Sequence, residues 1–487
     1  MKKVLSLVLA LVLCLGVGAA STASADDAPY EIVWKRYGTA DQTGVAAVQE
    51  QVNKWLADNG YNFTVDMSQV RDGDTIQIQL AAKDHVDIFW SNASDLTNTM
   101  LTGGFLYDIG GIYKDYEGLY NSIPENIWGA LLRNGGESLY QIPCYKEAGL
   151  ANAIVVKKSD AERFGWDEII KNDPERIWSF EELKPYLEEA AATGEYEYLM
   201  YMGGFPSLCS GAREYPGLDK FAAITDFLAI DLEGDTTKAV KITDIPAYRE
   251  TVKTLSAYNE AGYISEDFMT NTATEEKKWL FHGETLTPDF QNNMDNRYSK
   301  YDDKGIYYLT MSDIYLTSTS ALGSACSIAS YTGDIDACMK FMDALYSKTE
   351  LADLCLYGIE GVNYKRLDDG SCEKIKDTGY KFDTWATSNV MTVSLENTDS
   401  KDKKEQYAAF NAAAKDSILM GFVFDRTKVD AEYNACNAVK AEYQKMVEWG
   451  FMGEEGLQEY SDALDAAGVQ VVLDELNAQL AEFFAAK

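Results

Sequence analysis

The residues best suited to chemistry in this chain are its aromatics: 31 Tyr, 19 Phe and 9 Trp in 487 residues. Aromatic faces stack on sugar rings or pack apolar side chains, and Tyr and Trp add a polar edge. Placement decides which of them could meet a ligand. Open α/β sheets bind ligands beyond the carboxyl ends of their strands. That rule selects Tyr37 and Gly38 after the first strand, and Trp90, Ser91 and Asn92 after the third. It also selects Pro288, Asp289, Phe290 and Gln291 after a short later strand, while Tyr145, Lys146 and Glu147 follow a hairpin signal. The competing reading of each is core packing or a solvated loop, since pockets mix apolar walls with few polar groups. Trp90 and Tyr145 lead the candidates.

Other chemistry finds little support. Two carboxylates suffice for a glycosidase, and 78 are present, so acids alone discriminate nothing. The two histidines, His85 and His282, stand in unrelated contexts. His85 follows Lys83 and Asp84 at a helix end and is expected at the surface. No Gly-x-Ser-x-Gly elbow, His-Glu-x-x-His pair or phosphate loop occurs. The chain is therefore read as a non-enzyme with no cofactor. Asp231-Leu232-Glu233-Gly234-Asp235 fails the EF-hand spacing and reads as an acidic loop. The cysteines are scattered without a Cys-x-x-Cys pair or a Cys/His cluster, which argues against zinc. Cys355 and Cys372 flank a turn-rich stretch and could close a local loop.

The elements that position these residues follow from periodicity. Glu31 to Tyr37 alternates as a strand, and Val45, Val48, Val52, Trp55 and Leu56 recur at helical spacing. Asn59-Gly60 stops that helix. Residues 61–70 are extended, 75–82 helical, and 86–90 a short buried strand. Such alternation indicates an α/β unit around a largely parallel sheet. Asn134-Gly135-Gly136 reads as a hairpin turn leading to Pro143. A helix-rich stretch follows over 159–308. The small and hydroxylated residues of 317–330 read as a buried strand pair, 335–346 as an amphipathic helix, and 403–487 as mostly helical.

Lys2 and Lys3, the apolar run Val4 to Val17, and Ala23-Ser24-Ala25 have the order of an export signal, with maturation near Asp26. The apolar run is shorter than the roughly 20 residues of a membrane-spanning helix. Leu13 precedes Cys14, which departs from a lipid-attachment site, so a lipid anchor at Cys14 is the secondary reading. Loss of Lys2 and Lys3 takes the formal net charge from −35 to −37. Such a chain repels phosphate backbones and anionic lipid, which excludes nucleic-acid binding.

Three motifs carry a family resemblance. One is the set Asp87-Ile88-Phe89-Trp90, Gly104-Phe105-Leu106-Tyr107-Asp108 and Gly136-Glu137-Ser138-Leu139-Tyr140-Gln141-Ile142-Pro143. Another is Leu356-Tyr357-Gly358-Ile359-Glu360-Gly361-Val362-Asn363-Tyr364, and the third is Gly421-Phe422-Val423-Phe424-Asp425. Over about residues 30–485 the chain resembles a family 1 extracellular solute-binding protein of an ABC transporter. The last two motifs resemble a Gram-positive subgroup with an added C-terminal domain of unknown function. Two departures stand out: no lipobox, and Gly-Glu-Ser in place of Gly-Lys-x. The resemblance implies an α/β, two-lobed periplasmic-binding-protein-like fold of type II with a helical C-terminal segment. It implies lobe 1 over 28–150 plus 318–385 and lobe 2 over 151–317 plus 386–487. Crossings then fall near 144–153, 317–323 and 385–392, which adds Tyr145 and Trp385 as cleft candidates. It implies capture of a small solute, a sugar or oligosaccharide before a peptide, by hinge closure. It further implies delivery to membrane permease subunits and an extracellular, cell-surface-associated monomer. A secreted glycoside hydrolase is the other alternative.

Overall fold

The computed structural model describes residues 29–38, 42–70, 73–92, 95–133, 136–201, 220–270, 278–302 and 304–486. The export-signal reading, Cys14 and Cys209 lie outside them. Among the described residues no helix is long and apolar enough to cross a membrane.

The first sheet runs in the order Phe63–Val70, Tyr30–Tyr37, Ile88–Ser91, Ala325–Ile328, Ile142–Pro143. The first three strands are parallel, each reached through a helix. Ala325–Ile328 is antiparallel and arrives from the other lobe. Ile32 and Trp34 bury one strand face against Val48, Val52 and Leu56 of the helix Val45–Asp58. That spacing puts all three on one stripe, and each fully buried side chain of this size is worth about 1.5–3 kcal/mol.

The second sheet runs Lys415–Asp416, Tyr315–Leu316, Gly149–Lys157, Trp279–Leu286, Tyr198–Tyr201, with Ile306–Thr310 also paired to Gly149–Lys157. Three chain segments therefore pass between the sheets: 144–148, between Pro143 and Gly149; 317–324, between Leu316 and Ala325; and a later one that returns to the second sheet at Lys415. The second segment corrects the expected strand pair. Thr317 accepts from Ser320 N at 2.9 Å while Ser320 Oγ accepts from Thr317 N at 2.9 Å. This capping box starts a short helix, Ser318–Ala321, and only Ala325–Ile328 is a strand. Where the hairpin was expected before Pro143, Arg133 and Ser138 form an isolated antiparallel bridge, and Asn134 and Gly135 lie outside the described residues.

A third core stands apart from both sheets. Phe227, Ile230, Tyr248 and Val252 pack against Tyr460, Leu464, Val472 and Leu476 of the C-terminal helices. Gly450 makes their approach possible. Its φ of 75° and the backbone of Leu255 and Ser256, 2.5 Å and 2.6 Å from where a Cβ would sit, leave room for no side chain. Cys355 and Cys372 are both buried and free, so the expected local bridge is not formed; each packs as a small apolar side chain. His85 is surface-exposed and pairs with buried Asp87 at 3.0 Å.

In the second lobe, strand Trp279–Leu286 is tied to helix Phe290–Tyr298 by a charged cluster. Glu284 lies 3.1 Å from His282 Nδ1 and 3.0 Å from Arg297 Nη1, and it accepts from Tyr298. Burial pushes the Glu284 carboxyl up, but the bonds from His282 and Tyr298 and the charges of His282 and Arg297 outweigh it and hold the group below its ordinary value. A depressed carboxylate stabilises the fold above its unfolded pKa, and that contribution is lost as pH falls through the folded value. Wild-type protein is thus expected to lose stability progressively below about pH 4.3. Glu284→Gln is expected to flatten this acid limb in urea melts; an unchanged limb would remove Glu284 from the account.

Candidate functional site

The carboxyl ends of the first sheet gather three aromatics from distant parts of the chain. Tyr37 ends its strand, Trp90 lies within Ile88–Ser91, and Trp385 sits in a short 3-10 helix, Thr384–Ala386. Ring centroids are 4.6 Å apart for Tyr37 and Trp90, 5.1 Å for Tyr37 and Trp385, and 6.3 Å for Trp90 and Trp385. Tyr37 and Trp90 are half-buried, while Trp385 keeps 38% of its surface exposed. Trp90 Nε1 donates to Ser324 Oγ at 2.7 Å, which fixes the indole against the second crossing. The result is a packed aromatic wall with one open face. Gly38 beside it gives passage to Gln69, whose amide lies 2.4 Å from where a Cβ would project.

Arg36 brings Trp385 to this wall. It is 2% exposed and donates to Tyr380 Oη at 2.7 Å and to the Cys355 carbonyl at 2.6 Å. Its guanidinium lies 3.5 Å over the Phe382 ring and 4.7 Å over Trp34. Gly44 N donates to Gly379 O at 2.8 Å, and Lys381 N to Gln42 at 2.6 Å. Further along, Ser388 bonds Leu345 O at 3.0 Å, Asn389 bonds Ser122 O at 3.0 Å, and Ser394 N bonds Asp353 at 2.8 Å. Residues 379–394 thus stay on the first lobe, and the passage to the second follows later than the expected 385–392.

The first crossing behaves differently from its reading as an open wall. Tyr145 is 3% exposed, within the first-lobe core. Buried Asn411, from helix Lys403–Ala413, holds the crossing: it donates to Tyr145 Oη at 3.1 Å and Lys146 O at 2.8 Å, and accepts from Ala148 N at 2.8 Å. Burial pushes the Tyr145 phenol up, against the bond from Asn411. Tyr145 serves the crossing rather than an exposed surface. Lys146 and Glu147 pair with each other at the mouth of a narrow crevice that Tyr145, Ser320 and Ser324 also line. Asn411→Ala is expected to cost about 1–3 kcal/mol, because it strands the Ala148 amide. Tyr145→Phe is expected to cost about 1 kcal/mol. Equal urea midpoints for Asn411→Ala and wild type would show that the crossing holds without the latch.

The remaining candidates divide by what occupies them. Ser91 is buried, its hydroxyl 3.0 Å from Ser327 Oγ and accepting from Gln141 at 3.1 Å. Asn92 is half-buried beyond that strand. Asp289 is buried at φ 58°; its N donates to Gln406 at 2.9 Å and its carboxylate accepts from Asn292 at 3.0 Å and Ser400 N at 3.2 Å. It is a junction between elements rather than an open carboxylate. Gln291 is exposed and donates to Ile306 O at 3.1 Å. Pro288 and Phe290 are buried, Phe290 against Tyr308. Sequence reasoning missed Arg36, Ser324 and Asn411. The partners of Arg36, Trp90 and Asn411 lie more than 200 residues away, so no local pattern marks them.

Comparison with known proteins agrees with this architecture. Residues 418–485 match a domain of unknown function, DUF3502. A carbohydrate ABC transporter substrate-binding protein of Streptococcus pneumoniae serotype 4 (strain ATCC BAA-334 / TIGR4) is 23% identical, over 92% of this chain and 98% of its own. The crystal structure of NgtS, an N-glycan transport solute-binding protein from Streptococcus pneumoniae, superposes with a TM-score of 0.76 at 19% identity, covering 93% of this chain and 99% of that one. Its complex with Man5GlcNAc gives 0.65 at 20% identity, over 94% and 99%. An extracellular solute-binding protein from Bifidobacterium longum subsp. infantis gives 0.60 at 13% identity, over 94% and 99%. Over nearly its whole length the chain therefore shares the fold of these solute-binding proteins.

Proposed function

We propose that this chain is the extracellular substrate-binding subunit of an ABC importer and captures a sugar or oligosaccharide between its lobes. The observation that carries the reading is the wall of Tyr37, Trp90 and Trp385 at the carboxyl ends of the first sheet, with the Trp385 face open. Pyranose rings stack on such faces, and hydroxyls take the polar edges. The relatives named for carbohydrate and N-glycan transport support a saccharide over a peptide. Several crossings joining two sheets suit hinge closure: a ligand that touches both lobes favours the closed state by its differential affinity. Membrane permease subunits then receive the closed form. Asn92, Lys146, Glu147 and Gln291 are the further candidates at the cleft edge. The protein works as a monomer outside the membrane, exported by residues 1–25 and without lipid on Cys14. Mass spectrometry of the mature chain is expected to find a start near Asp26; diacylglycerol on Cys14 would overturn that part.

The test is thermal shift with Man1GlcNAc, Man5GlcNAc, maltotriose, kestose and a set of short peptides. Ligand that binds only the native state raises its apparent stability, by about 2.7 kcal/mol at a hundredfold excess over Kd. At least one saccharide is expected to raise the melting temperature. A response to peptides alone would favour a peptide-binding subunit, and turnover of a glycoside would remove the binding-protein reading.

A further inference from the structure

We propose that Asn152 is a second-lobe contact for the sugar, its carboxamide reserved for two adjacent ring hydroxyls; this rests on the saccharide reading above. Asn152 is 3% exposed, yet neither its Oδ1 nor its Nδ2 has a hydrogen-bond partner. Its backbone, by contrast, is engaged. The amide N donates to Ser312 Oγ at 3.1 Å, and the carbonyl accepts from Met311 N at 2.8 Å. Folding thus clamps the main chain and leaves one donor and one acceptor group over. Buried polar groups are nearly always satisfied by protein or by something bound, so an orphaned pair on one side chain needs an occupant.

Position points to the cleft. Asn152 lies in strand Gly149–Lys157, directly after the first crossing. Across the sheet it faces Thr285, the penultimate residue of strand Trp279–Leu286. Directly opposed residues of an antiparallel pair share a face. Thr285 is half-buried, so that face opens toward solvent at the carboxyl end of the strand. The sequence rule selected residues 288–291 beyond this strand end, while the unoccupied group lies on the neighbouring strand.

The chemistry of the occupant follows from the group. A carboxamide offers one acceptor oxygen and two N–H donors in a single plane. Adjacent equatorial hydroxyls of a pyranose each donate and accept, and they match that pattern. An apolar ligand would leave both atoms orphaned. A vicinal diol satisfies both, and the saccharide reading selects it over a peptide amide, which could pair in the same way.

The experiment measures glycan affinity and ligand-free melting of the mature chain with Asn152→Ala and Asn152→Leu, using the same saccharides. Because the carboxamide makes no protein bond, Asn152→Ala is expected to move the ligand-free melting temperature by less than about 2 °C. It is expected to weaken the saccharide that binds wild type at least about tenfold. Asn152→Leu, which fills the space without a polar atom, is expected to weaken it as much, and it serves if the Ala variant folds poorly. Unchanged affinity in both variants would overturn the assignment and leave the proposed function standing. A lowered melting temperature with unchanged affinity would show a structural water at Asn152, and would overturn it equally. If none of the saccharides binds wild type, the proposed function itself fails, and the Asn152 assignment with it.

Discussion

Replacing Arg36 by Ala is expected to cost about 3–5 kcal/mol of stability and to weaken saccharide binding in the same variant. Arg36 is buried on the first strand and holds three things at once: the Cys355 carbonyl, the Tyr380 hydroxyl and the Phe382 ring. Hydrogen bonds to a charged donor contribute about 1.5–3 kcal/mol each, and a desolvated cation over a ring about 2 kcal/mol. Desolvation of the guanidinium offsets part of this, so the net is well below the sum. Truncation also leaves a cavity beside Trp34. Arg36→Lys tests the mechanism, because a lysine keeps the charge but lacks the planar fork that reaches two acceptors. It is expected to recover little stability. Arg36→Met restores volume and removes the buried charge; it is expected to unfold later than Arg36→Ala yet to bind saccharide as poorly, since nothing then anchors the 379–387 loop. Urea unfolding followed by tryptophan fluorescence reads the first effect, and calorimetric titration the second. Identical urea midpoints for Arg36→Ala and wild type would dispose of the anchoring role.

Trp385→Ala is expected to lower saccharide affinity by about 1–3 kcal/mol, roughly ten- to hundredfold, with little change in melting. The separation of the two readouts follows from geometry. Trp385 meets Tyr37 at a tilt and Trp90 edge-on, and 38% of its surface stays exposed. Removing it therefore strips more from a bound ring than from the folded chain. Trp90→Ala is expected to hurt both, since its indole also donates to Ser324 across the crossing. Tyr37→Ala combined with Trp385→Ala is expected to show a coupling energy, because rings in contact are not additive. If Trp385→Ala binds every saccharide as wild type does, the aromatic wall is a packing cluster and the ligand lies elsewhere.

Tyr37 and Trp90 were placed together because the alternation of 31–37 and the short buried strand at 86–90 bring them near strand ends, and a parallel sheet collects strand ends on one edge. Tyr145 and Asp289 occupy equally suggestive places, yet both face inward. What turned them was helix Lys403–Ala413, whose Asn411 and Gln406 bond the Tyr145 hydroxyl and the Asp289 amide from more than 100 residues away. Hairpin and strand signals near 134–143 and 317–330 were overread for a related reason. Small and hydroxylated residues suit close strand packing, but Thr317 and Ser320 satisfied each other locally and began a helix.

Sequence alone determined the parts whose causes are local: the strand and helix periods of 30–102, the helical stripe positions of the C-terminal segment, and the acidic charge that excludes nucleic acid. Family motifs then carried the two-lobed class. Tertiary structure alone decided which aromatics share a wall, which polar residues are consumed by the crossings, and that the Asn152 carboxamide keeps no protein partner. The physical reason is range. Periodicity and capping act within a few residues, whereas the bonds of Arg36 to Tyr380 and of Asn411 to Ala148 span 344 and 263 residues. No composition or spacing records such a pairing until the chain has closed on itself.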